Sequence, residues 1–480
     1  MRGNIVIFLA LAISGVINFL SISLFSRHLT PEEYGVYAVI MASTGLVLAF
    51  IFSWLDLSFG RFVAGGNRGN SRIYFNNFTL LYSVLLLIFT ILLILLSLLE
   101  LFPDIKPEIF LTIGLVVLAE VTFNVINIHT RLMQNALNRY AISIVARSCL
   151  LIGFSWVFLV QGYSYHGILM ASVISFMLPT LFSIIIGQVW SELAVSDINK
   201  NKIKEILRFG APLIIVMAVQ SAINATDRLL LAGILGSEAA GQYSVSQDLV
   251  VKLFIFLLAI VHKVGYPNII KEYEAAGEDA VRLLLNKHII MLLLMSIPAV
   301  FAMSVYAENI VSVILGEGFR EVAINLMPYQ VGAAFINCLI MFYIVMPFHL
   351  LKKTKLLIVP NMIALIANLI VGYFLIKLYG MYGALMGSFV AYALCFCVSI
   401  FLGRKLIALP FPKLELLKII ASSALMIIML LPFKESDGIW SLAGLVLSGI
   451  GVYGCCIMFF NVGGFREIII TKIESRKVKR

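Results

Sequence analysis

The sequence predicts an all-α integral membrane protein that crosses the bilayer about fourteen times, and three observations predict it. Of its 480 residues, 61% are apolar and only 12% charged, where soluble chains carry about 25% charged residues. Long apolar runs recur from end to end, and roughly 20 apolar residues let a helix cross the hydrocarbon with its own hydrogen bonds closed. Lysine and arginine gather in every second connection, the pattern left when basic loops stay on the cytoplasmic side.

The first run, 4–25, follows Met1-Arg2 and contains Ala10-Leu11-Ala12, which mimics a signal-peptide cleavage site. That triplet comes too early and the run continues past it, so it is read as the first helix. The later spans are 36–58, 77–99, 109–129, 142–161, 166–188, 209–233, 241–263, 288–306, 323–348, 355–377, 381–402, 415–433 and 438–461. Asn309–Gly316 is apolar but too short to span, and is expected in a loop. With the N-terminus inside, 28 of the 35 Lys and Arg lie on the inner side. Only Arg27, Lys106, Arg320, Lys377 and Lys434 lie outside, while Arg228 and Lys252 fall within spans. The alternation has no exception, although one missed helix would reverse every later loop. Both termini are therefore expected in the cytoplasm.

The formal charge of +10 is explained by these inner loops, so nucleic acid is not an expected partner. Cys149, Cys338, Cys395, Cys397, Cys455 and Cys456 all lie in apolar runs without metal spacing and read as small apolar residues. No metal or cofactor is expected. An internal repeat is visible at an offset of 206 residues. Leu29-Thr30-Pro31-Glu32-Glu33-Tyr34-Gly35-Val36-Tyr37-Ala38-Val39 aligns with Leu235-Gly236-Ser237-Glu238-Ala239-Ala240-Gly241-Gln242-Tyr243-Ser244-Val245, and Asn18 aligns with Asn224. Both segments form the outer turn after an odd-numbered helix, so the halves share one orientation. Parallel repeats of this kind are an architecture of transporters.

The turn Arg27-His28-Leu29-Thr30-Pro31-Glu32-Glu33-Tyr34-Gly35-Val36-Tyr37 resembles the N-terminal signature of the bacterial polysaccharide-transporter family, the O-antigen and capsule repeat-unit flippases. That family is a branch of the multidrug/oligosaccharidyl-lipid/polysaccharide exporter superfamily. Leu207-Arg208-Phe209-Gly210-Ala211-Pro212, Asp227-Arg228 through Gly241-Gln242-Tyr243-Ser244, and Leu315-Gly316-Glu317-Gly318-Phe319 are similar to later landmarks of the same family. The resemblance covers roughly residues 20–335. It implies two pseudo-symmetric six-helix bundles facing a central cavity, residues 1–196 and 197–408, with two further helices and a basic tail in 409–480. It also implies a cargo, an undecaprenyl-pyrophosphate-linked oligosaccharide moved from the cytoplasmic to the periplasmic leaflet of the inner membrane by alternating access. Membrane lipids, and the polymerase and chain-length regulator of the same pathway, are the implied partners. The sequence departs from the family at Ala211 and along the apolar run Leu213–Val219, where relatives carry more Ser.

Charge inside a bilayer is costly and marks function or pairing. Lys252 lies eleven residues beyond Gly241, about 16 Å along a helix and near mid-membrane. Asp248, one turn earlier, stands in the favourable acid-first order. The pair is either a structural ion pair or a pyrophosphate-attracting cation tuned by an acid. Asp227 and Arg228 are adjacent, about 100° apart on a helix, so both cannot face one cavity and one is expected to pair within the bundle. Glu120 lies near mid-membrane without an obvious basic neighbour in its own helix, which suits either proton coupling or a hydrogen-bonded structural role. Asp56, Arg61, His129, Arg131 and Arg147 are expected together at the inner ends of their helices, as cytoplasmic anchors or as a basic entry for an anionic headgroup. Pro179, Pro298, Pro347 and Pro360 fall inside spans and should bend them.

Three other functions compete. A membrane-integral polysaccharide polymerase needs a large outer loop, but the longest here is Ala307–Val322, with one Arg and no His. A cation/drug antiporter of the same superfamily should have an acidic cavity, whereas Lys252 and Arg228 offset Asp248 and Asp227. A peptidoglycan-precursor flippase differs only in headgroup. The sequence has no nucleotide-binding Gly-rich loop, so drive by ATP is not expected.

Overall fold

The computed structural model describes residues 2–63, 68–98, 107–132, 136–187, 197–434, 438–464 and 466–467. Among these the chain is helical almost throughout. In order come α1 (Arg2–His28), α2 (Pro31–Ile51), α3 (Ser53–Val63), α4 (Arg68–Leu98), α5 (Pro107–Leu132), α6 (Leu137–Val160), α7 (Ser164–Gly187) and α8 (Lys200–Leu235). They are followed by α9 (Ser237–Val305), α10 (Ala307–Ile314), α11 (Glu317–Leu339), α12 (Met346–Leu350), α13 (Ile358–Tyr379), α14 (Met381–Gly403), α15 (Lys413–Leu430) and α16 (Ile439–Phe459).

Thirteen helical runs among the described residues are long and apolar enough to cross a bilayer. One of them, α9, has 69 residues, roughly 100 Å at 1.5 Å per residue, against a hydrocarbon core of about 30 Å. It breaks at Gly277 (φ 78°, ψ −161°), a left-handed angle that a side chain would strain. The two limbs hold the eighth and ninth expected spans. Polarity is inverted relative to a soluble fold. Ile185, Leu378 and Phe459 are 73%, 73% and 79% exposed, while Asn77, Ser175, Ser246 and Asn368 are fully buried. An apolar outer surface of this extent suits lipid.

Three details depart from the sequence reading. The second span ends at Ile51, and α3 starts separately after Phe52, where Ser53 Oγ and Trp54 Nε1 donate back to the Leu48 and Ile51 carbonyls. Asn309–Gly316 is not a loop, since most of it is α10, with Asn309 and Val311 buried. The tenth span is also broken, because α11 passes through a π turn at Ile340–Ile344 before α12. Pro179 and Pro298 lie inside helices as expected, and so do Pro267 and Pro328. Lys106, the Arg61 side chain and the basic tail beyond Glu467 lie outside the described residues.

The chain divides by contact into two compact units, Met1–Gly241 and Gln242–Arg480. In unit 1, α8 packs along α2 and α3. Its centre is an aromatic cluster that includes Phe52, Trp54, Phe59, Phe75, Phe78 and Tyr82. The family-like motifs fall on its joints. Thr30 caps α2 through a complete capping box with Glu33, and Pro31 takes the first turn, where its missing N–H costs nothing. Glu33 Oε1 also accepts from Ser164 Oγ at the start of α7. Phe209 stacks edge-on against Phe62 at 5.6 Å, and Gly210 lies so close to the Trp54 indole that a Cβ would collide with it.

The two repeated segments pack on each other within this unit. A Cβ on Gly35 would strike the Ser237 carbonyl, and a Cβ on Gly241 would strike the Pro31 carbonyl. Pro31 and Ser237, like Gly35 and Gly241, are related by the repeat offset of 206. The contact is thus reciprocal, as a two-fold relation between duplicated helix starts requires. Near the other end of α4, Lys202 Nζ donates to Tyr74 Oη at 2.8 Å and to Glu205 Oε2 at 3.1 Å. These bonds, first that to Tyr74, raise the Lys202 ammonium above its ordinary pKa. Arg72 Nε and Asn76 Nδ2 hold Asp197 at 3.3 and 2.9 Å.

In unit 2, α13 and α14 pack without intervening side chains at Gly383 and Gly387, the latter against Gly372. Asn368 Nδ2 bonds Ser388 Oγ between them at 3.3 Å. The last two spanning helices belong to the same unit. Tyr453 Oη donates to the Leu294 carbonyl at 3.0 Å, and Tyr306, Met426, Leu430 and Leu445 form a shared cluster.

Candidate functional site

The polar interior of unit 1 is built from six helices. α3 supplies Asp56, which accepts from Tyr82 Oη on α4. α5 supplies Glu120, and α6 supplies Arg147. The Arg147 guanidinium lies 4.3 Å from the centre of the Phe176 ring on α7. Stacking on an aromatic face suits Arg because its planar cation is weakly hydrated. Glu120 and Arg147 act on each other electrostatically, Asp56 bears on Glu120, and Tyr37 of α2 bears on Arg147. Arg147 Nε is buried without a hydrogen-bond partner. The arrangement can accept an anion, since the guanidinium still has donors to offer.

The structure sorts the sequence candidates into separate places. The basic residues of α5, His129 and Arg131, lie in its last turn, and the cation that acts on Glu120 is Arg147 of the neighbouring helix, which one-helix spacing could not reveal. The expected inner cluster of Asp56, Arg61, His129, Arg131 and Arg147 is divided. Arg147 and Asp56 join Glu120. Arg131 reaches across the α5–α6 turn to lie 5.4 Å from the Tyr140 ring centre, with its Nε buried and unpartnered. His129 is fully buried beside Phe75, ring centres 4.4 Å apart. On α8, Asp227 is buried and Arg228 half-buried. In unit 2, Asp248 and Lys252 are half-buried on the first limb of α9. All four of these residues are engaged by partners. Tyr82 and Phe176 were missed as candidates because aromatic residues are common in every span and carry no distinguishing spacing.

Beside this polar interior lies an apolar cleft of about 200 Å³, lined by residues that include Phe75, Tyr82, Leu86, Val121, Val125 and Ile184. Among the described residues, no group of three His, Cys, Asp or Glu side chains converges as metal ligands would.

Comparison with known proteins fits this picture. The family model described as polysaccharide biosynthesis protein matches residues 24–324, well over half of the chain. The chain belongs to the polysaccharide biosynthesis protein family. It is also 21% identical over 229 residues to the "Putative O-antigen transporter" of Shigella flexneri, a match covering 46% of this chain and 52% of that protein. The chain therefore spans about half the length of that curated relative. Among solved structures, the lipid II flippase MurJ in an inward closed conformation superposes with a TM-score of 0.75 at 16% identity. That match covers 97% of this chain and all of MurJ. A multidrug-resistance MATE transporter of the MOP superfamily gives 0.62 in its inward-facing conformation at 14% identity, covering 83% of this chain and 97% of that one. At these identities the structures establish the fold alone. Taken with the family and the long apolar helices, they make this a multi-pass membrane protein of polysaccharide biosynthesis.

Proposed function

We propose that the protein is a flippase carrying an undecaprenyl-pyrophosphate-linked oligosaccharide repeat unit from the cytoplasmic to the periplasmic leaflet of the inner membrane, for surface polysaccharide assembly. The observation that carries the reading beyond the family is Arg147, a half-buried side chain whose guanidinium stacks on an aromatic face within the field of the Glu120 carboxylate, with its Nε buried and unpartnered. In this reading the pyrophosphate displaces Glu120 from Arg147, and the freed Glu120 takes up a proton, so that cargo and coupling ion compete for one cation. Arg61 and Arg131 would receive the headgroup at the cytoplasmic side. Arg228 and Lys252 would meet it along the path, tuned by Asp227 and Asp248. Residues 1–196 and 197–408 would be the duplicated halves that alternate access, with 409–480 as an appended pair of helices and tail. Both termini would be cytoplasmic, and a polymerase and a chain-length regulator would consume the delivered cargo.

The test is flipping of the lipid-linked oligosaccharide in proteoliposomes under an imposed pH gradient. The wild-type protein should respond to the gradient. Glu120→Gln keeps the shape but cannot titrate, so it should bind cargo and fail to flip it. Unchanged flipping by that variant, or no response of the wild type, removes Glu120 from the mechanism.

A further inference from the structure

Three histidines of unit 2 lie outside every site considered so far. His262 and Tyr266 stand one turn apart on the first limb of α9, rings 4.7 Å apart and nearly parallel. His288 lies on the second limb, beyond the Gly277 break, with its ring 5.7 Å from that of His262. His349 is on α12, 6.3 Å from Tyr266. Residue 265 is glycine, and a Cβ there would fall 2.5 Å from His288 Nδ1. The missing side chain is what lets the His288 ring lie against the first limb.

The backbone of one residue, Phe342, bears on both imidazoles as an acceptor. Phe342 is the middle residue of the π turn Ile340–Ile344, and its ring also lies 5.2 Å from that of His262. π turns are rare, and they recur at functional sites. The other nitrogen of each ring, Nδ1 of His262 and Nε2 of His288, is buried without a partner, and His288 is only 4% exposed. A carbonyl accepts hydrogens, so in the neutral pair each facing nitrogen carries one and each idle nitrogen presents a bare lone pair.

We propose that His262 and His288 form a binding site for a single proton, taken up on the idle nitrogen of one ring or the other, whose occupancy is coupled to the π turn after α11. One proton is the capacity because two charges at 5.7 Å repel enough, at an effective dielectric near 20, to weaken the second proton about a hundredfold. No third metal ligand converges on the pair among the described residues, which leaves the proton as the ligand. The groups bearing on the pair are Tyr266 and the exposed Lys263 from the first limb, Lys287 beside His288 on the second, the Phe342 backbone and ring, and His349 from α12. None of these is an acid. A proton arriving on an idle nitrogen therefore makes a buried, charged N–H with no acceptor, which the structure relieves by opening the packing of the π turn. The site closes as the proton leaves. This inference is independent of the cargo and of Glu120.

The experiment uses the full chain in liposomes with ¹⁵N-labelled histidine, following the imidazole signals by solid-state NMR from pH 8 to pH 4. His262→Gln and His288→Gln assign the signals and keep a donor for Phe342. The wild type should bind one proton between the two rings, with the second at least tenfold weaker, and replacing either ring should move the titration of the other. Hydrogen exchange over residues 339–351, corrected for intrinsic rates, should quicken with protonation in the wild type but not in the double Gln variant. Two rings titrating independently, neither ring titrating, or pH-independent exchange in the wild type would each overturn the proposal. The wild-type titration alone decides if a variant fails to fold.

Discussion

Gly35 and Gly241 allow the duplicated packing to be tested quantitatively. A Cβ on Gly35 falls 3.0 Å from the Gly241 nitrogen, and one on Gly241 falls 2.7 Å from the Gly35 nitrogen, with the Ser237 and Pro31 carbonyls closer still. These obstacles are backbone atoms, which cannot rotate aside as a side chain can. Ordinary contact begins at 3.4 Å and the Pro31 carbonyl oxygen stands at 1.9 Å, so Gly241→Ala must open a gap of 1.5 Å between α2 and the first turn of α9. Forcing a methyl into such packing costs about 1–3 kcal/mol, partly masked by the ~1 kcal/mol by which Ala favours a helix over Gly. Gly153→Ala on α6 carries that gain alone, because nothing lies within 4 Å of its Cβ. The informative quantity is therefore the stability of Gly35→Ala or Gly241→Ala relative to Gly153→Ala, from denaturant unfolding in micelles. One separation relieves both clashes, so the double variant should lose about as much as the worse single one, a coupling of ~1–3 kcal/mol. Additive losses would refute the reciprocal crossing, as would a Gly35→Ala protein as stable as Gly153→Ala.

Four further outcomes are expected. Arg147→Lys keeps the charge but loses the planar fork over Phe176, and should slow flipping about tenfold, the equivalent of ~1.4 kcal/mol. Arg147→Ala should abolish flipping, and adding Glu120→Gln should restore protein level but not transport, because the unpaired carboxylate is what destabilises the single variant. Lys252→Ala should abolish surface polysaccharide at normal protein abundance if the ammonium meets the cargo; recovery of function in Asp248→Asn/Lys252→Gln would instead make the two a structural pair. A phosphatase reporter inserted at Gly162 should be active in the periplasm, and the same reporter after Arg480 inactive, with a reversed result at either position ending the fourteen-span topology.

The span count was legible because lipid imposes a one-dimensional code. Each crossing needs a long apolar run, and each inner loop collects Lys and Arg, so errors cannot hide. Breaks within spans were not legible. Phe52 and the π turn at Ile340–Ile344 lie in runs as apolar as any other, and hydropathy is blind to a change of hydrogen-bond register. The family-like motifs were visible but their role was not. Thr30, Pro31, Glu33 and Gly35 act at the cap and crossing of α2, while Phe209 and Gly210 seat α8 on α3. The partnership of Glu120 with Arg147 joins residues of two helices. A reading confined to one helix can find i,i+4 neighbours such as Asp248 and Lys252 but has no access to cross-helix pairs.

Duplication explains why packing residues were easier to read than charges. At the repeat offset of 206, Gly35 answers Gly241 and Tyr37 answers Tyr243, so the sequence states the joint twice. The charges near the same segments have no counterparts: Asp248 corresponds to Ala42, Lys252 to Leu46, Asp227 to Ser21 and Arg228 to Ile22. A duplicated scaffold must keep whatever lets backbones touch, because each copy of the contact needs its own glycine. Its charges face no such demand. A buried cation in one half is costly, and a mirrored cation in the other would double the cost and add repulsion. Asymmetric charge on symmetric packing thus hides those charges from any inference based on the repeat.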